Sequence, residues 1–213
     1  STVQTLAAYL DDEITAMPNL VTVGAAQQLT TLAGIPFYQG DTGSIYTHNV
    51  SATESTAQYN SAYGLTALDA ISSGDNNSAF GYGALGATAG GTQNTAVGVN
   101  AMLANTGNYN TSIGFDSLKA NVGGANNVAV GKSALAANTT ASNNIAVGYE
   151  ALTANTTGTK NLAIGHQAMT GSDTEDDNIA IGYQAMNQNN AGGNENVAVG
   201  NYALDALTSG DEN

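Results

Sequence analysis

NIAVGYEALTANTTGTK (Asn144–Lys160) is followed at once by NLAIGHQAM (Asn161–Met169), and the two open alike: Asn, a β-branched or aliphatic residue, Ala, an aliphatic, Gly, two variable residues, Ala, Leu or Met. Working outward, the same block recurs as NSAYGLTAL (Asn60), NSAFGYGAL (Asn77), NTAVGVNAM (Asn94), NTSIGFDSL (Asn110), NVAVGKSAL (Asn127), NIAIGYQAM (Asn178) and NVAVGNYAL (Asn196), nine copies in all. Their glycines, from Gly64 to Gly200, stand 16 to 18 residues apart. A fixed period this short is too small for a two-helix repeat and fits one coil of a β-solenoid.

Numbering the Asn as position 1, positions 2 and 4 point to one side of a strand and position 3 to the other. Position 4 runs Tyr63, Phe80, Val97, Ile113, Val130, Val147, Ile164, Ile181, Val199, which predicts that this side is the interior. Position 3 is Ala in eight copies and Ser112 in the ninth, and position 8 is Ala in eight and Ser117 in that same copy. The shared substitution predicts one environment for both columns. Small residues on the side opposite the aliphatics predict a close neighbour, and a thin coil has too little interior to bury both sides alone. Ala79, Ala96, Ala129, Ala146, Ala163, Ala180 and Ala198 are therefore expected at an oligomer interface. Position 9, always Leu or Met, supplies a second apolar column. The invariant Gly at position 5 fits a positive φ or a close chain approach. The position-1 Asn column predicts an amide ladder, and a partial second column, Asn105, Asn121, Asn138, Asn155 and Asn189, marks another turn.

Residues 1–58 lack the repeat. Val3, Leu6, Ala7, Leu10 and Ile14 follow amphipathic-helix spacing up to Pro18, Ala25–Gly34 reads as a second short helix, and Phe37–Gln58 as loops with short strands. This is expected to be an attachment and assembly domain, with Val3, Leu6, Leu10 and Ile14 as its docking set. Residues 59–213 form the solenoid. Asn213 falls where the Asn of a tenth copy is due, so the repeat is expected to continue in a longer protein. At about 4.8 Å per coil, nine coils make a rod of roughly 40 Å.

The absence of Cys excludes disulfides and thiolate chemistry, and 3 Lys and Arg against 17 Asp and Glu give a net charge of −14. Such a surface repels phosphate backbones and anionic lipid, so neither nucleic acid nor membrane insertion is expected.

The repeat resembles the head repeats of trimeric autotransporter adhesins, whose units read much like S-x-A-I-G-x-x-A or S, and the related repeats of bacteriophage tail fibres. The resemblance covers Asn60 to the end. It implies a mainly β fold, a parallel β-roll or β-helix assembled as a homotrimer with small residues near the trimer contacts. The adhesin heads use a shorter period, so about three residues per coil are inserted here, expected in a peripheral loop.

Enzymatic sites are not expected. The two histidines, His48 and His166, are isolated, and no nucleophile, base and orienting group share a motif. No cofactor is expected. Asp173, Glu175, Asp176 and Asp177 form an acidic cluster with calcium-ligand chemistry, but the glycine-rich calcium-roll signature is missing and a simple solvated acidic loop is the favoured reading. Tyr82, Phe115, Tyr149, His166 and Tyr183 at position 6 form an aromatic column that either stacks for stability or offers ring faces to a host-surface glycan. The expected function is mechanical: a virion appendage such as a tail fibre, attached through its N-terminus to another virion structural protein and carrying a distal receptor-binding part for host attachment. The alternative is the passenger head of a bacterial surface adhesin.

Overall fold

A computed structural model describes residues 31–32, 35–36, 38–39, 45–46, 56–188, 193–206 and 210–211. The nine repeats form a parallel β-solenoid of about 17 residues per turn. Each contributes one three-residue strand: β5 (Ser61–Tyr63), β6 (Ser78–Phe80), β7 (Thr95–Val97), β8 (Thr111–Ile113), β9 (Val128–Val130), β10 (Ile145–Val147), β11 (Leu162–Ile164), β12 (Ile179–Ile181) and β13 (Val197–Val199). Consecutive strands pair in parallel with like positions opposed, as in Ile145↔Leu162, Ala146↔Ala163 and Val147↔Ile164.

Ahead of them, β1 (Thr31–Leu32) pairs antiparallel with β2 (Ile35–Pro36), so the second helix expected over Ala25–Gly34 does not hold at its C-terminal end. Thr31–Leu32 and Ile35–Pro36 are both extended, and Pro36 cannot continue a helix. The hairpin β3 (Tyr38–Gln39) and β4 (Ile45–Tyr46) joins the solenoid sheet, with β4 parallel to β5. The helix expected over Val3–Ile14, and with it the docking set Val3, Leu6, Leu10 and Ile14, lies outside the described residues, as does Asn189.

Alternation along each strand is as the pattern predicts, but the interior is on the other side. Position 3 is fully buried within the single chain, whereas Tyr63, Phe80 and Val199 are 52%, 49% and 67% exposed. Ala79, Ala96, Ala129, Ala146, Ala163, Ala180 and Ala198 are thus core residues, not an oligomer interface. The reason is the thinness of the coil. Position 3 faces position 8 across the interior, as the shared Ser copy reveals: Ser112 Oγ bonds Ser117 Oγ and donates to the Ser117 carbonyl at 2.9 Å. Between segments this close only methyls and hydroxymethyls fit, and Val or Ile must point outward. The larger interior side chains are the Leu and Met of position 9, all but Leu204 fully buried. They sit at φ of 49–54°. Left-handed backbone costs an L-residue about 1–2 kcal/mol, and burying the side chain returns about 1.5–3 kcal/mol.

Hydrogen bonds run from coil to coil even through the turns. The amide of position 2 donates to the next coil's Asn carbonyl, as Ile145 to Asn161 at 2.8 Å, and that of position 9 to the next coil's position 8, as Leu152 to Ala168 at 2.9 Å. The position-1 Asn is wholly buried. Its Oδ1 accepts the backbone N–H of the next Asn (Asn144 to Asn127, 2.9 Å; Asn161 to Asn144, 2.8 Å), while its Nδ2 caps a carbonyl late in its own coil, as Asn144 to Gly158 at 2.8 Å. The second column is an amide-to-amide ladder: Nδ2 of Asn121, Asn138 and Asn155 each donates to the preceding Oδ1, the last two at 2.7 and 3.0 Å. This satisfies polar groups that a coil with so little interior could not otherwise afford to bury.

Candidate functional surface

Because the large residues of positions 2 and 4 point outward, the sheet carries a continuous apolar strip along its outer face. The aliphatics and rings of position 4 are exposed or half-buried from Tyr63 to Val199. Position 2 is Ser61, Ser78, Thr95 and Thr111 in the first four coils, then Val128, Ile145, Leu162, Ile179 and Val197. No charged residue occupies either column, on a chain whose net charge is −14. Position 6 lies just beyond the Gly bend and is exposed in every coil: Leu65, Tyr82, Val99 and Phe115, then Lys132, Tyr149, His166, Tyr183 and Asn201. The strip was missed in the sequence because alternation says which residues share a side, not which side is inside. The Ala columns were the available signal, since a uniformly minimal side chain marks the tighter side.

Of the position-6 aromatics, Tyr149, His166 and Tyr183 cover one another, while Tyr82 and Phe115 are exposed. Tyr149 stacks on His166 at 4.9 Å and 17°, and His166 on Tyr183 at 5.1 Å and 15°. Tyr183 meets Tyr202, from position 7, edge-on at 5.3 Å, and Lys132 Nζ lies 5.3 Å from the Tyr149 centroid. Within the Tyr149–His166–Tyr183 stack, the facing ring surfaces contact each other, so a sugar approaching from solvent meets ring edges there. Beside the stack runs a polar rail: Gln184 Nε2 donates to Gln167 Oε1 at 2.8 Å, and Gln167 Nε2 to Glu150 Oε2 at 3.0 Å. The bond from Gln167 holds the Glu150 carboxyl below its usual range, helped by the Tyr149 hydroxyl and the charges of Lys132 and His166 and opposed by desolvation. The same carboxylate raises the Tyr149 phenol, through the hydrogen bond first and its charge second.

The four acidic residues of the suggested calcium loop do not converge. Glu175 is buried, and its Oε2 accepts the N–H groups of Asp173 (2.8 Å) and Thr174 (3.1 Å), capping its own turn. Asp176 Oδ1 accepts both the backbone N–H (2.5 Å) and the hydroxyl (2.8 Å) of Thr159, and Asp177 pairs with Lys160 at 3.3 Å. Among the described residues no group of three or more His, Cys, Asp or Glu is placed to hold a metal ion. Among the described residues no helix is long and apolar enough to cross a membrane.

No family model, curated protein or solved structure matches the chain. The fold defines a class, the parallel β-solenoids, and the outer strip is its most distinctive surface.

Proposed function

We propose that this chain is a structural shaft: a homotrimeric segment of a virion fibre that holds a receptor-binding part away from the particle for host attachment. The observation that carries it is the uncharged apolar strip running the length of a uniform rod. Nine strands at about 4.8 Å give a strip roughly 40 Å long. Its apolar area, position 4 in all nine coils and position 2 in the last five, is on the order of the largest patch on a typical monomer, about 300–600 Å² and often functional. A rod with three such chains around an axis buries every strip and leaves the acidic turns in solvent. The trimer contact in this reading is made by positions 2 and 4, in place of the Ala columns.

The rod's other features also suit a mechanical role. Its polar interior is spent on coil-to-coil bonds, and its acidic loop on backbone caps and an ion pair. The proposed partners are two further copies and a virion protein met by the N-terminal segment. The alternative, a bacterial adhesin head, places the same trimer on a cell surface. Gold-labelled antibody to the rod separates the two: labelled particle appendages support the fibre, and label confined to bacterial envelopes overturns it in favour of the adhesin.

A further inference from the structure

A rod of nine near-identical coils has a register problem. A perfectly periodic strip would let copies slip by one coil, or pair head to tail, at little loss. The strip is not perfectly periodic. In the first four coils position 4 is joined by apolar residues at position 6, from Leu65 to Phe115, while position 2 is Ser or Thr. In the last five coils position 2 becomes aliphatic, from Val128 to Val197, and position 6 passes to the Lys132, Tyr149, His166 and Tyr183 stack with its polar rail. The two largest position-4 residues, Tyr63 and Phe80, stack on each other at 6.1 Å at one end only.

We propose that this changeover between Phe115 and Val128 sets the register and polarity of self-association, so that copies meet only in parallel, coil against like coil. The inference rests on the trimeric reading above. In parallel register the aliphatic pairs of the last five coils face each other, and the Ser and Thr hydroxyls of the first four face their own kind. Antiparallel pairing sets Ser61 against Val197 and Tyr63 against Val199, burying hydroxyls against methyls that offer no hydrogen bond. Specificity then comes from mismatched alternatives as much as from the matched contact.

The chain has no Cys, so single introduced thiols report geometry without background. Val97→Cys, Ile113→Cys and Ile164→Cys place thiols at position 4 of the third, fourth and seventh coils. Pairs of variants, distinguishable by a mass tag, are co-expressed and oxidised to direct disulfides, which require Cβ atoms within about 3.5–4.5 Å and so resolve a shift of one coil. Like-site products exceeding 97–164 and 97–113 products at least tenfold are expected. Equal or greater 97–164 products overturn the polarity, and equal 97–113 products overturn the register. A second variant, Ser61→Val with Ser78→Ile, Thr95→Ile and Thr111→Val, makes position 2 uniformly aliphatic. Its 97–113 products should rise several-fold, and an unchanged ratio overturns the role given to the changeover. A monomeric mass in light scattering, with no cross-link of any kind, is a separate outcome that defeats the trimeric shaft itself.

Discussion

Replacing Gly148 with Ala separates the two demands that position 5 makes on the backbone. Gly148 has φ of 143°, and a Cβ there would stand 2.2 Å from the Gly165 carbonyl oxygen and 2.6 Å from its carbon. The φ term alone costs about 1–3 kcal/mol for a residue with a side chain. Relieving the contact requires the coils to part by about 1 Å. That stretches the flanking bonds, Ile145 N–H to Asn161 at 2.8 Å and Gly165 N–H to Val147 at 2.8 Å, worth about 0.5–1.5 kcal/mol each. The expected loss is thus roughly 2–6 kcal/mol. In this 213-residue chain Gly200 is the internal control: its φ is 131°, and among the described residues only Ala203 Cβ, at 3.9 Å, comes within 4 Å of a Cβ there. Gly200→Ala should lose only the φ term, about 1–3 kcal/mol. Urea unfolding followed by circular dichroism gives both values. Equal losses would refute the claim that stacking the bends, beyond bending itself, requires glycine.

Three further substitutions probe the interior and the rail. Asn155 Oδ1 is buried without a hydrogen-bond partner, and the next rung of its ladder is Ser172; Ser172→Asn should add a rung and about 0.5–1.5 kcal/mol, read as a thermal midpoint higher by a few degrees, whereas a lower midpoint counts against the ladder's role. Ser112→Ala with Ser117→Ala removes a mutually bonded pair and restores the Ala facing of the other eight copies; the double variant should lie within about 0.5 kcal/mol of the parent while each single loses about 1 kcal/mol, and additive losses in the cycle would contradict the facing of the two columns. Gln167→Ala removes the main cause of the lowered Glu150 carboxyl. A depressed folded pKa contributes stability present above the unfolded value and lost as pH falls through the folded one, so the variant should shift the Glu150 carboxyl titration upward in NMR and shed part of the rail's stability loss on acidification; an unmoved titration refutes the assignment of cause.

The solenoid, its period and its two Asn columns were legible because each coil repeats the same local solution, so a column of nine residues reports one environment many times over. The coupling of Ser112 with Ser117 was legible for the same reason, and the two residues do touch. The inside and outside of the strand were not. Hydrophobicity favours burying Val and Ile over Ala, but cross-sectional size decides in a coil so thin, and no single-residue preference carries that geometry. The Leu and Met of position 9 were legible only as a second apolar column; that they fill the interior, on left-handed backbone, has no signature in residue type. The calcium loop was suggested by clustered acidic residues alone, and the carboxylates of Glu175, Asp176 and Asp177 are committed to backbone N–H groups, a hydroxyl and a lysine of their own neighbourhood.

Which face of the strand is the outer one, and what covers it, decides how the chains associate. Light scattering and far-ultraviolet circular dichroism on the parent, on Val147→Gln with Ile164→Gln, and on Ala146→Gln with Ala163→Gln test it directly. The parent should have three times the mass of one chain. The Val147 and Ile164 pair should fall to the single-chain mass with its β spectrum kept, because the core and ladders are complete within one chain. The Ala146 and Ala163 pair should lose the β spectrum, since no amide fits where only a methyl does. A monomeric parent, or a trimer that survives the outer substitutions, would contradict the account.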